Sequence, residues 1–120
     1  MAIIRVKNLL IRTYIGFNPE ELRNKQDVLI NMKIKVDVSE AIRTDLVEGS
    51  YNYKIITKKV IALVQEGKFK MLENLTRQIL DLILENPQVE WARVEVDKPH
   101  ALRFSESVSI ELEAYNKVKV

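Results

Sequence analysis

The run Lys98-Pro99-His100-Ala101-Leu102-Arg103 places three side chains able to carry positive charge within six residues. Pro99 stiffens the chain there. Such a cluster could hold phosphate, and a lysine that has lost part of its hydration can exchange protons near neutral pH. In an arbitrary chain the same lysine would be a strand-end cation in solvent. Glu73, next to the apolar Leu72, and Glu21, just after Asn18-Pro19, both fall where the pattern predicts the first turn of a helix. A carboxylate at that place commonly does no more than favour the positive end of the helix dipole. Tyr51 and Tyr53 flank Asn52 at another helix entry, where aromatic residues more often staple a core than meet a ligand. Taken singly, none of these residues names a reaction.

Composition narrows the choice. With 19 basic and 17 acidic residues the net charge is only +2, too small for the electropositive surface that a nucleic-acid backbone requires. There is no cysteine and a single histidine, His100, so thiolate nucleophiles and Cys- or His-rich metal sites are not expected, and no metal or cofactor is called for. Arg5 and Lys7 interrupt the apolar run from Met1 to Leu10, so neither a signal-peptide core nor a membrane span is expected, and the expected location is the cytoplasm. The 120 residues, 47% of them hydrophobic, suit one domain spanning residues 1–120.

The elements that must position the candidate residues can be read from periodicity. Ala2 to Ile15 is rich in Ile, Val and Leu and predicts a long strand ending at Gly16. Asn18-Pro19-Glu20-Glu21 predicts a short helix with Asn18 as its cap. Val28, Ile30, Met32, Ile34 and Val36 alternate with mostly polar neighbours, the pattern of a strand buried on one face. Ser39 to Tyr51 reads as a loop with a helical turn around Glu40 to Arg43. Ile56, Val60, Leu63 and Val64 recur at helical spacing up to Gly67, and Leu72, Leu75, Ile79, Leu82 and Ile83 do so before Pro87. Two further strands follow, around Val94-Val96 and Val108-Ile110-Leu112. The order ββααββ predicts an α+β two-layer fold, with two helices on one face of a four-stranded antiparallel sheet. Its other face, with Asn31, Lys33, Lys35, Arg93, Glu95, Ser109 and Glu111, would be wet. The open edges of so small a sheet favour pairing with further copies of the chain. A monomeric sandwich fits the same alternation.

Taken together in order, these residues carry a resemblance. Arg12-Thr13-Tyr14-Ile15-Gly16-Phe17 with Glu20-Glu21 and Asn24 to Asp27, then Leu46 through Tyr51-Asn52-Tyr53, Leu72-Glu73, and Asp97 through Phe104 resemble the dihydroneopterin aldolase family over nearly the whole chain. The Arg12–Gly16 and Asp97–Arg103 segments are more similar to the branch that epimerises dihydroneopterin triphosphate. Many aldolases have Tyr-His-Gly where this chain has Tyr14-Ile15-Gly16. The resemblance implies a tunnelling fold whose ββααββ subunits form rings, two tetrameric rings stacking into an octamer, with a pterin site between neighbouring subunits. It implies Lys98 as catalytic lysine, Glu73 as the pterin-gripping carboxylate helped by the Leu72 backbone, Tyr53 near the ring, and Glu21 near the side-chain hydroxyls.

These residue types suit that chemistry. A carboxylate such as Glu73 can accept from the amino group and adjacent ring N–H of a pterin at once. The reduced ring carries an imine next to the first side-chain carbon, so it can take up electrons when the bond to the second carbon breaks. Lys98 would move the proton of the 2'-hydroxyl, Glu21 would orient hydroxyls or a water, and Tyr53 would stack or relay a proton. Arg103 and His100 are the candidates for phosphate, with Arg12, Arg23 and Lys25 behind them. The expected activity is inversion at the 2' carbon of 7,8-dihydroneopterin triphosphate by retro-aldol cleavage and re-addition. The alternatives are an aldolase that releases glycolaldehyde and 6-hydroxymethyl-7,8-dihydropterin, and a non-catalytic pterin-binding ring.

Overall fold

A computed structural model of the chain describes residues 1–116. Strand β1 (Ala2–Ile15) turns at Gly16 into helix α1 (Pro19–Arg23) and returns as β2 (Gln26–Val36). Helix α2 (Ser39–Thr44), a 3-10 turn (Val47–Gly49), helix α3 (Tyr53–Glu66), strand β3 (Lys68–Phe69), helix α4 (Leu72–Leu84), β4 (Val89–Pro99) and β5 (Ser107–Tyr115) follow. The sheet runs β3-β1-β2-β4-β5. Its long neighbours pair antiparallel, and β3 lies parallel to β1 through Tyr14↔Lys68 and Ile15↔Phe69.

The expected four-stranded antiparallel sheet is thus a five-stranded mixed one. A strand of two residues is too short to show alternation. What aligns it is tertiary: the Gly16 N–H donates to the Phe69 carbonyl at 2.9 Å. The stretch read as a loop after Ser39 contains the expected helical turn, extended to α2, and the 3-10 turn beyond it. No residue of α2 is buried, so it has no apolar stripe to betray it, and Asp45, in left-handed conformation at φ 56, ends it.

Alternation decides which side of each strand is buried. Val28, Ile30, Ile34, Val36, Val94 and Val96 are fully buried, with Met32 at 1% exposure. Against them pack Ile56, Val60 and Val64 of α3 and Leu75, Ile79, Leu80 and Ile83 of α4. Leu63, Leu72 and Leu82 of the predicted stripes sit at the rim of this core, half-buried. The Asn52 side chain caps α3 by accepting from the N–H groups of Lys54 (3.1 Å) and Ile55 (3.2 Å). Of the two tyrosines beside it, Tyr51 enters the core and Tyr53 stays half exposed. Burial alone pushes the Tyr51 hydroxyl up to about 12, which removes it from proton exchange at neutral pH.

Helix direction sets which helix end meets which sheet end. The buried Thr13 hydroxyl donates to the Val64 carbonyl at 2.6 Å, so the end of α3 lies over the end of β1. The chain then passes through β3 and starts α4 at that same end. At the far end, Tyr51, Asn52 and Ile55 share a cleft with Leu82, Glu85 and Asn86, where α4 finishes.

A clasp missed at the sequence level holds the end of α4 to β4. The side-chain amide of buried Asn116 donates to the carbonyls of Leu84 (3.0 Å), Asn86 (3.2 Å) and Val89 (3.0 Å), and its own N–H donates to Glu90 at 2.8 Å. Asn116→Ala leaves those acceptors without their donor. It should lower unfolding stability by about 1–3 kcal/mol in urea titrations at matched protomer concentration.

Candidate active site

Glu21 is fixed by local sequence before any distant residue reaches it. Asn18 caps α1, its side chain accepting from the Glu21 N–H at 2.8 Å, and Pro19 supplies a first helical residue whose missing N–H goes unneeded. In return, Glu21 Oε1 accepts from the N–H groups of Phe17 (3.3 Å) and Asn18 (3.4 Å), completing a capping box. Gly16 makes this fold-back possible. Its φ of +121° is open to glycine, and a Cβ there would collide with the Glu21 carboxylate.

The other carboxylate oxygen faces the sheet. Glu21 Oε2 forms an ion pair with Lys98 Nζ, and the Gln26 amide, which donates to the Ile15 carbonyl at 2.9 Å, also reaches it at 3.4 Å. Lys98 follows Val94 and Val96 on the helix-covered side of β4, at the end of the sheet where the helical layer stops. Its side chain is 17% exposed and that of Glu21 16%, so the pair is mostly withdrawn from solvent. The Lys98 hydrogen bond holds the Glu21 carboxyl below the usual carboxylate range, with burial opposing and the Asn18 and Gln26 donors assisting. Glu21 therefore remains an anion at neutral pH and serves there as an acceptor.

An open cleft adjoins the pair, lined by Asn18, Glu20, Glu21, Asn24, Gln26 and His100. His100 takes a left-handed conformation (φ 62) as the chain leaves β4, and the exposed Phe104 does so four residues later (φ 66). Arg103 lies over the Phe104 ring at 5.6 Å, within this exposed loop. Of the other cations considered for phosphate, Arg12 is engaged by Asp27 (3.0 Å) and by the Lys25 carbonyl (3.1 Å), Lys25 lies 5.8 Å from the Tyr14 ring, and Arg23 ends α1 exposed.

The structure thus brings Lys98, Glu21 and His100 to one end of the protomer. Glu73 is at that end too, exposed in the first turn of α4 beside half-buried Leu72. Met71 offers no side-chain cap, which leaves the first N–H groups of α4 open to an outside acceptor. Tyr53 is elsewhere. It begins the 14-residue α3, whose end overlies β1, so about 20 Å of helix separates it from the Lys98 end of its own protomer. Sequence reasoning did not find Gln26. Its signal was faint: one amide at the start of a strand, with its partners 11 and 5 residues away.

Because the folded-state pKa of Glu21 lies below its unfolded value, its stabilising contribution is complete above the ordinary carboxylate range and is lost as pH falls through the folded value. Glu21→Gln should therefore be less stable than the parent at neutral pH. Its melting temperature should also fall less than the parent's between about pH 6 and pH 3. Parallel acid shifts in both proteins would contradict the pairing.

The sequence model for the FolB family, dihydroneopterin aldolase, matches residues 4–113. A dihydroneopterin triphosphate 2'-epimerase of Pseudomonas aeruginosa is 55% identical over 112 residues, covering 93% of this chain and 91% of that protein. The enzyme of the same name from Escherichia coli K12 is 43% identical over 111 residues, covering 92% of each. The crystal structure of E. coli dihydroneopterin aldolase in complex with neopterin superposes with a TM-score of 0.90 at 24% identity, covering 95% of this chain and 99% of that one. A match this long, continuous through every long strand and both long helices, places the chain in the dihydroneopterin aldolase family.

Proposed function

We propose that this protein is an epimerase that inverts the 2' carbon of 7,8-dihydroneopterin triphosphate, giving 7,8-dihydromonapterin triphosphate. The observation that carries the reading is the withdrawn Lys98–Glu21 pair beside an open cleft, in a chain 55% identical to an epimerase of that name. Glu73 accepts from the amino group and ring N–H of the pterin, while the uncapped N–H groups at Leu72 and beyond meet the neighbouring carbonyl oxygen. Once the Lys98 ammonium has released a proton to solvent through the open cleft, its amine takes the proton of the 2'-hydroxyl, directly or through a water. The bond between the first and second side-chain carbons then breaks. Its electron pair passes into the ring imine, and the second carbon leaves as the aldehyde of a fragment that keeps the triphosphate. Rotation of that fragment and re-addition on its opposite face, with the proton returned, inverts the centre without net loss of atoms. Glu21, an anion that accepts but does not supply protons at neutral pH, orients the hydroxyls. His100 and Arg103 bind phosphate, whose distance from the reacting carbon lets binding energy retain the fragment.

Tyr53 joins this site only from another copy, since its own protomer holds it at the opposite end. Ile42, Leu46, Val47 and Ile55, each more than half exposed, surround that entry to α3 with apolar surface that a neighbour would cover. The uncovered edge of β1 ahead of β3 and the outer edge of β5 supply the backbone pairing for a ring, in the expected form of two stacked tetramers. A single catalytic domain and a cytoplasmic setting belong to the same proposal. Among the described residues, no helix is long and apolar enough to cross a membrane.

Incubation with the triphosphate and with unphosphorylated dihydroneopterin, followed by separation of stereoisomers and cleavage products, tests the reaction. Inversion of the triphosphate is expected to dominate, and dominant release of glycolaldehyde would make the protein an aldolase. Lys98→Ala should lower turnover by about 10²- to 10⁴-fold while the oligomer mass is kept; unchanged turnover would remove the lysine from the mechanism, and absence of turnover in the parent would leave a pterin-binding ring. Glu73→Ala should raise the pterin dissociation constant about tenfold to a hundredfold by titration calorimetry.

A further inference from the structure

The open face of the sheet, away from the helices, carries an arrangement that the proposed reaction does not use. Arg5 on β1 is paired in register with Lys33 on β2, and Lys33 with Arg93 on β4. Three cations thus stand in one cross-strand row, on neighbouring strands about 5 Å apart. Like charges placed directly opposite each other destabilise a sheet. The bulge between Val6 and Leu9 adds Lys7 to the same place: Asn8 turns left-handed (φ 52) and is held there by Asn31, which accepts from its N–H at 2.9 Å and donates to its side chain at 3.2 Å. Arg5, Lys7, Lys33 and Arg93 line one cleft of about 280 Å³.

Two carboxylates, Glu95 and Glu111, line the same cleft on its β4–β5 side. Glu95 accepts from Ser109 (3.1 Å), and Glu113 beyond them accepts from Trp91 (3.1 Å) and Arg93 (3.2 Å). Glu111 stands 3.8 Å from the Nε of Arg93, too far for a hydrogen bond, and that buried Nε donates to no acceptor among the described residues. Arg5, Lys7 and Lys33 form no ion pair among the described residues. Even where another copy's strand covers the Arg5 edge, Lys33 stays flanked by two arginines. A row of donors about 10 Å long, with one guanidinium N–H unsatisfied, complements linked phosphate groups better than a single one. The carboxylates at the β5 side and the net charge of only +2 disfavour an extended nucleic-acid backbone.

We propose that the open sheet face is a second anion site, separate from the pterin cleft, in which Arg5, Lys33 and Arg93, with Lys7 at the bulge, bind a compact oligophosphate. Bound anion relieves the repulsion within the row, so occupancy stabilises the folded chain as well as filling the cleft.

Inorganic tripolyphosphate is the probe, added to the full-length protein and compared with sodium chloride at equal ionic strength. The expected result is a higher melting temperature with tripolyphosphate than with chloride, and saturable binding by calorimetry. Arg5→Gln/Lys33→Gln should weaken that binding at least tenfold while epimerase turnover at saturating substrate is kept. Lys33→Gln alone serves if the double variant fails to fold by circular dichroism. His100→Gln/Arg103→Gln should retain the binding, which separates this site from the proposed triphosphate contacts. Equal stabilisation by chloride and tripolyphosphate would overturn the proposal. So would binding that survives loss of Arg5 and Lys33 but disappears with His100 and Arg103.

Discussion

The pairing of Lys98 with Glu21 joins residues 77 positions apart, and much of the surrounding structure exists to make it tolerable. Withdrawing two charges from water is costly, and attraction between them offsets that only when the remaining hydrogen-bonding capacity is also met. Here it is met by short-range donors: the N–H groups of Phe17 and Asn18 and the amide of Gln26 all converge on the Glu21 carboxylate. Those donors require the chain to fold back at Gly16, and the Gly16 N–H is itself tied to β3. One ion pair thus binds α1, the end of β1, the start of β2 and the end of β4 into one corner. Removing the carboxylate would leave Lys98 partly buried without its partner. Removing the amine would leave Glu21 with its local donors and a smaller reason to stay ionised.

The same constraint explains why the pair sits at the sheet's end. On the helix-covered face, Val94 and Val96 are fully buried, and a lysine at either place would have no route to water. Lys98 is the first position beyond them on that side where the helical layer has thinned enough for a polar head to meet both protein and solvent. The antiparallel helices bring the start of α4 to this corner and carry the start of α3 away from it. A protomer alone therefore brings Lys98, Glu21 and Glu73 to one corner and keeps Tyr53 at the other end.

What was legible in the sequence follows from which signals are local. Period-two alternation made β2, β4 and β5 readable, and the stripes ending at Gly67 and before Pro87 made α3 and α4 readable, because each pattern is decided by burial within its own element. Strand β3 was invisible because two residues carry no period, and α2 was legible only as a turn around Glu40 to Arg43 because it buries nothing. At the site, the place of Glu21 in the first turn after the Asn18 cap was legible, whereas its reciprocal capping bonds and its pairing with Lys98 were not, since nothing near it in sequence names Lys98. Tyr51 and Tyr53 looked alike beside Asn52, and only packing separates a core residue at 4% exposure from a surface one at 52%.

The departure from the aldolase pattern at Tyr14-Ile15-Gly16 takes on a physical meaning in this setting. Ile15 is 1% exposed, its side chain belongs to the core, and its carbonyl accepts from Gln26, the same amide that reaches Glu21. The side chain at this position lies behind the turn at Gly16. The contacts that position Gln26 and the Glu21 carboxylate relative to Lys98 run through this backbone, so a change in packing at Ile15 would reach that corner through the turn at Gly16. Retention or release of a cleaved fragment depends on small differences in how its hydroxyls are held while the bond is open. A packed residue one position from the turn thus bears on how the Lys98–Glu21 corner is held, without itself lining the cleft.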